Sequence, residues 1–188
     1  AAFNGHQHRK KDMKKLIIFV CNGNMHRSPI AERITQKLLS ERGLEGTYEV
    51  VSRGIQGTVG TKPTKHRKPI EYDLEWNASL PTLQKLGIEL ADHVSIPITK
   101  NLVERASVIV AMAHDVLTRE PNGLNLQFPE YRRKARLFTE LAGKEEDVPD
   151  CGGVGDTEVH RATIELISEV LHEHFDELIA WINEECVR

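Results

Sequence analysis

Cys21 and Arg27 bracket the string C-N-G-N-M-H-R, and Ser28 and Pro29 follow at once. A thiol and a guanidinium so spaced can serve one anion. The thiolate is a nucleophile. The planar guanidinium can donate paired hydrogen bonds to two oxygens of a tetrahedral oxyanion. The chain between them, Asn22, Gly23, Asn24, Met25 and His26, must then curl so that successive backbone N–H groups point inward. Gly23 permits close approach or a positive φ. Asn24 is one of the few residues besides glycine that tolerates a left-handed conformation. Ser28 fits an N-cap and Pro29 a first helical position, and a helix beginning there adds positive field. That field favours the thiolate, and the Ser28 hydroxyl can stabilise it further. Neither nucleotide-binding glycine pattern, GxxxxGK[ST] or GxGxxG, is present. Cys-x5-Arg taken alone also fits a buried cysteine at a strand end with a surface arginine nearby.

The surrounding elements favour the first reading. "KLIIFVC" is continuously apolar, as a strand buried on both faces of a parallel sheet must be. Ile30, Ile34 and Leu38 then recur at helical spacing up to a stop at Gly43, and "TYEVVSRG" (47–54) reads as a second strand. Strand, helix and strand make a βαβ unit with a right-handed crossover. Residues 55–80 read as irregular and rich in Gly, Pro and Lys, long for a connection. Short helices are predicted at 80–87 and 100–106, strands at 107–113 and 135–141, and one long amphipathic helix from Asp156 to about Glu185. The expected fold class is α/β: a single three-layer domain with a central, mostly parallel four-stranded sheet flanked by helices. In such sheets ligands sit beyond the carboxyl ends of the strands, where Cys21 lies.

Composition narrows the rest. With 188 residues, 39% hydrophobic and 28% charged, the chain fits a globular protein, and a net charge of −3 gives no reason to expect nucleic acid as a partner. No apolar run is long enough for a membrane span, so no membrane partner is expected. Residues 1–12, polar and basic, are expected to be a disordered N-terminal extension or cloning remnant, with the domain running from 13 to 188. Cys21, Cys151 and Cys186 show no CxxC and no zinc spacing, which points to a reducing cytoplasm and to no metal.

The longer string "VCNGNMHRSPIAE" resembles the phosphate-binding signature of the low-molecular-weight protein tyrosine phosphatase family, V-C-x-G-N-x-C-R-S-P-x-A-E. "SRG" at 52–54, "LGIELADH" at 86–93, "VIVAMA" and "FPEYRRKARLF" are similar to family segments, so the resemblance spans most of the chain. "VPD" (148–150) stands where the family keeps its catalytic aspartate. The resemblance implies hydrolysis of phosphate monoesters, foremost protein phosphotyrosine, without cofactor. Cys21 would form a cysteinyl-phosphate, Arg27 and the loop 22–28 would hold the phosphate, and Asp150 would act as acid and base. Asp147 and Asp156 are the nearby alternatives to Asp150. Asn24, Ser28, Ser52 and His93 would hold the loop in shape. The implied partners are a phosphorylated protein or small phosphate ester, with inorganic phosphate or another tetrahedral oxyanion as ligand.

The chain departs from the family pattern in four places. His26 replaces the second cysteine of the signature. "DCGG" (150–153) replaces "DPYY", which removes two tyrosines from the pocket mouth. Thr58 stands where an aromatic wall residue is common. The 55–80 segment is longer. A wider, less selective pocket is therefore expected unless Tyr72 or Trp76 folds over it, and packing of the long loop is the plainer reading of those two. Met25 is apolar, as in phosphotyrosine members, where the protein-arginine phosphatase branch carries threonine. Cys151 is either an inert replacement for proline or a partner for an oxidised Cys21. Arsenate reduction on the same fold is the first alternative function, weakened by the lack of cysteines between Cys21 and Cys151. A non-catalytic phosphate-binding relative is the second.

Overall fold

The computed structural model describes residues 13–62 and 66–184. The N-terminal twelve residues and Cys186 lie outside that range. β1 (Lys15–Cys21) is followed by α1 (Arg27–Glu41), β2 (Tyr48–Gly54), a 3-10 turn at Pro69–Glu71 and α2 (Asp73–Leu86). Then come α3 (Lys100–Arg105), β3 (Ala106–Ala111), α4 (His114–Thr118), α5 (Leu124–Gln127) and a second 3-10 turn at Pro129–Lys134. β4 (Ala135–Leu137), a third 3-10 turn at Phe138–Ala142, α6 (Thr157–Glu173) and α7 (Phe175–Glu184) complete the order.

The four strands run parallel in the order β2-β1-β3-β4. β1 is central, and its side chains alternate between two cores, as a period of two requires. Ile17, Phe19 and Cys21 join Ile34 and Leu38 of α1, Leu83 of α2, Ile167 and Leu171 of α6 and Leu178 of α7. Leu16, Ile18 and Val20 join Val103 of α3, Val116 of α4 and Leu124 of α5. Helices thus cover both faces, giving the three layers expected. Each fully buried Leu, Ile or Phe in these cores contributes about 1.5–3 kcal/mol, so the sheet's position is strongly fixed. The chain winds from β1 to β2 on one side and returns to β3 on the other. Their connections part at the carboxyl end of β1 and leave a crevice there.

Local assignments differ from expectation in four ways. α1 begins at Arg27 with His26 in the cap position, and no side chain caps it. Ser28 is committed elsewhere, against Cys21 and Asn24. Second, much of 55–80 is ordered, with α2 starting at Asp73 and Pro81 in its interior. A proline there costs about 3 kcal/mol or more, which burial of Ala78, Ser79, Thr82 and Leu83 on the same helix offsets. Third, the strand expected at 135–141 stops at Leu137, and the following turn buries Phe138. Fourth, the closing helix is two helices, broken at His174, so that Phe175, Leu178 and Ile182 reach the core at a new angle.

Candidate active site

The loop after β1 is built around Asn24. Its φ of 53° is left-handed, and the residue is 0% exposed. The turn carries its backbone N–H to Cys21 Sγ at 3.2 Å. Its side chain spans the base of the loop. Nδ2 donates to Ser28 Oγ at 3.1 Å and to Ser52 Oγ at 2.9 Å, while Oδ1 accepts from the Ile96 N–H at 2.9 Å. Ser52, at the end of β2, donates in turn to the Glu32 carboxylate. His93 Nε2 donates to the Asn24 carbonyl at 2.8 Å. Burial lowers the His93 pKa, partly opposed by that hydrogen bond, so the ring is neutral near neutral pH. Ser28 Oγ lies 3.0 Å from Cys21 Sγ. The structure therefore joins Asn24, Ser28, Ser52 and His93 in one network beneath the thiol.

Gly54 closes this floor. A Cβ there would sit 2.9 Å from the Asn22 carbonyl and 3.1 Å from Asn24 Cβ, which is too close. The Ile55 and Gln56 N–H groups donate back to the carbonyls of Cys21 and Asn22. The end of β2 is in this way stitched to the loop, and Asn22, Gly23, Met25 and His26 are left to line the pocket.

Arg27 is 5% exposed and spans the crevice. It donates to the Val148 carbonyl at 3.0 Å and to Asp150 Oδ2 at 3.2 Å. The Asp150 side chain is 62% exposed, at the pocket rim. The other candidate acids are engaged elsewhere. Asp147 accepts from the His114 N–H and pairs with its ring, and the first of these contacts does most to lower its pKa. Asp156 caps α6 by accepting from the N–H groups of Glu158 and Val159. Of the three, Asp150 alone lines the pocket with Cys21 and Arg27.

The pocket holds about 190 Å³. One side is the first two turns of α2: Tyr72, Glu75, Trp76 and Ser79 fall at helical spacing on one face. Trp76 also packs against the larger core, so both readings of it hold. Thr58 takes no part; its hydroxyl donates to the Ile55 carbonyl and accepts from Gln127. Arg67 escaped the sequence reading. It donates to the Gly23 carbonyl at 3.1 Å and to Gln56 Oε1 at 2.7 Å, bracing the loop from the long segment. No motif marks it. Glu32 lies within the signature string and was visible only as a matching letter. His160, on α6, lines the pocket with His26 and Cys151.

The chain that carries these features is similar to known proteins. The family model described as low molecular weight phosphotyrosine protein phosphatase matches residues 16–185. The protein-arginine-phosphatase of Bacillus subtilis is 31% identical over 158 residues, covering 84% of this chain and 92% of that protein. Arsenate reductase 2 of Staphylococcus haemolyticus is 28% identical over 131 residues, covering 70% and 82%. A solved structure of the YwlE arginine phosphatase, a cysteine-to-serine mutant with a phosphorylated active site serine, superposes with a TM-score of 0.67 at 29% identity, covering 87% of this chain and 95% of that one. Among the described residues no helix is long and apolar enough to cross a membrane. The match runs through both the thiol loop and the segment bearing Asp150, and the chain belongs to the low molecular weight phosphotyrosine protein phosphatase family.

Proposed function

We propose that this phosphatase acts on aryl phosphate monoesters, foremost phosphotyrosine in proteins, in a reducing cytoplasm. The Cys21 thiolate attacks phosphorus in line. The bond to the leaving oxygen breaks as Asp150 gives that oxygen its proton. Arg27 and the loop N–H groups hold the equatorial oxygens. Water then attacks the cysteinyl-phosphate, Asp150 takes its proton, and the S–P bond breaks to release phosphate and thiolate. The phosphorylated active site serine of the solved relative supports the nucleophile's place in this scheme. Asn24, Ser28, Ser52 and His93 serve by holding the loop.

The observation that carries the substrate reading is the α2 wall. Tyr72 and Trp76 line the pocket with Cys21 and supply aromatic faces that "DCGG" and Thr58 do not. Apolar Met25 lines it too. One feature favours phosphoarginine instead: Glu75 stands in the same wall, where a carboxylate suits a guanidinium, and a relative is a protein-arginine-phosphatase. The aromatic pair supports phosphotyrosine more strongly, because one of the two Glu75 oxygens is already held by the Gly153 N–H at 2.7 Å.

Turnover of phosphotyrosyl and phosphoarginyl peptides by wild type, Cys21→Ser and Trp76→Ala tests both levels. We expect no turnover from Cys21→Ser and a higher kcat/KM for phosphotyrosine. Trp76→Ala should lower that kcat/KM about 3- to 10-fold, the size of one aromatic contact. Turnover without the thiol overturns the mechanism; a preference for phosphoarginine overturns the substrate.

A further inference from the structure

His26, Cys151 and His160 come together from three separate places: the phosphate loop, the residue after Asp150, and α6. One ligand atom from each lies within 4.8 Å of the others. The contacts they make here are ones a metal would replace in part: the rings meet at 3.4 Å and Cys151 Sγ meets Thr163 Oγ1 at 3.4 Å. His160 Nε2 donates to the Val154 carbonyl at 2.7 Å, which leaves Nδ1 with a lone pair. That Nδ1 faces His26 Nε2 at 3.4 Å. Cys151 is buried as a free thiol whose Sγ donates to Thr163 Oγ1 at 3.4 Å.

From this convergence we infer that His26, Cys151 and His160 form a binding site for a borderline-soft divalent cation, Zn²⁺ in the first place. Two imidazoles and a thiolate are a zinc donor set, with the fourth position left for water or a substrate oxygen. The spacing fits. Nitrogen ligands at about 2.0–2.1 Å and sulfur at about 2.3 Å from a tetrahedral ion lie roughly 3.3–3.6 Å apart. The two imidazoles already stand at 3.4 Å, and Cys151 Sγ, within 4.8 Å of both, needs to close by about 1.2–1.5 Å at most. Mg²⁺ and Ca²⁺, which want oxygen ligands, do not suit the set. Binding exchanges the Cys151 S–H proton, released to solvent, for an S–Zn bond. The charges flanking the site, Arg27 and Asp150, are paired at 3.2 Å, so the arginine does not oppose the cation alone.

A cation here ties the phosphate loop to the segment that carries Asp150. If the pocket works as the phosphatase proposed above, Zn²⁺ therefore inhibits it. That consequence rests on the functional reading; the binding does not. The test is Co²⁺ substitution read by absorption, with affinity for Zn²⁺ from competition against a chromophoric chelator. Both need no turnover. Cys21→Ser should keep the thiolate-to-cobalt charge-transfer band, because the catalytic thiol is not a ligand. Cys151→Ser should lose it, and His160→Gln should weaken Zn²⁺ binding about 100-fold or more, at least the loss that outer residues of metal sites cause. Circular dichroism of each variant establishes that it is folded. A band that vanishes with Cys21→Ser and survives Cys151→Ser overturns the site, placing the metal on the nucleophile. Zn²⁺ binding unchanged in folded His160→Gln overturns it as well.

Discussion

Replacing Asn24 by alanine removes one side chain and three hydrogen bonds to separate parts of the chain. The Ile96 N–H loses its acceptor, and the hydroxyls of Ser28 and Ser52 lose a donor. An orphaned, partly buried amide costs up to about 1–3 kcal/mol, and each lost neutral hydrogen bond about 0.5–1.5 kcal/mol. Alanine at a φ of 53° adds about 1 kcal/mol or more. The sum is roughly 3–7 kcal/mol, against a total stability of about 5–15 kcal/mol. The main-chain contacts to Cys21 and His93 do not need the side chain, so the variant should fold but be much weakened. Asn24→Gly separates the two causes: it accepts the left-handed backbone and restores about 1 kcal/mol, while the hydrogen-bond loss stays. Urea unfolding followed by circular dichroism measures both variants, and p-nitrophenyl phosphate turnover below the transition should fall more than tenfold in each. The reasoning fails if alanine destabilises by less than 1 kcal/mol, or if glycine matches wild type.

Two further outcomes follow from the same geometry. Asp150→Asn should lower kcat about 10²- to 10⁴-fold on an alkyl phosphate, and less on p-nitrophenyl phosphate, whose leaving group departs without a proton; equal losses on both would remove Asp150 from the acid role. Burial depresses the His93 pKa below 6.5, so the folded state binds fewer protons than the unfolded chain once the pH drops beneath that value. The stability His93 contributes is thus present above pH 6.5 and is lost as pH falls toward the folded pKa. Urea midpoints at pH 7.5 and 5.5 should differ more for wild type than for His93→Asn, and equal differences would refute the linkage.

How much of this was legible in the sequence depended on whether the signal was local. β1, the loop and α1 were readable because an apolar run, a glycine-asparagine turn and a helical stripe follow one another without interruption. The roles of Ser52 and His93 were reached only through the resemblance, since their contacts with Asn24 span 28 and 69 residues of chain. α2 was missed in its first half because Pro81 resembles a helix start. Taking 55–80 as irregular also hid the period of Tyr72, Glu75, Trp76 and Ser79, which only a helix turns into one face. The break at His174 was invisible because the 3–4 spacing of apolar residues continues across it.

The departures from the family signature looked like separate losses in the sequence, and the structure relates them. His26 and Cys151 are 125 positions apart, yet they share one wall with His160. Tyr72 and Trp76 line the same pocket from the start of α2, and the segment after Asp150 carries glycines beside a thiol. The proposed aryl-phosphate activity and the proposed cation site thus rest on different residues of one pocket. The two properties should therefore mutate independently: Trp76→Ala alters selectivity without touching the cobalt spectrum, and Cys151→Ser does the reverse.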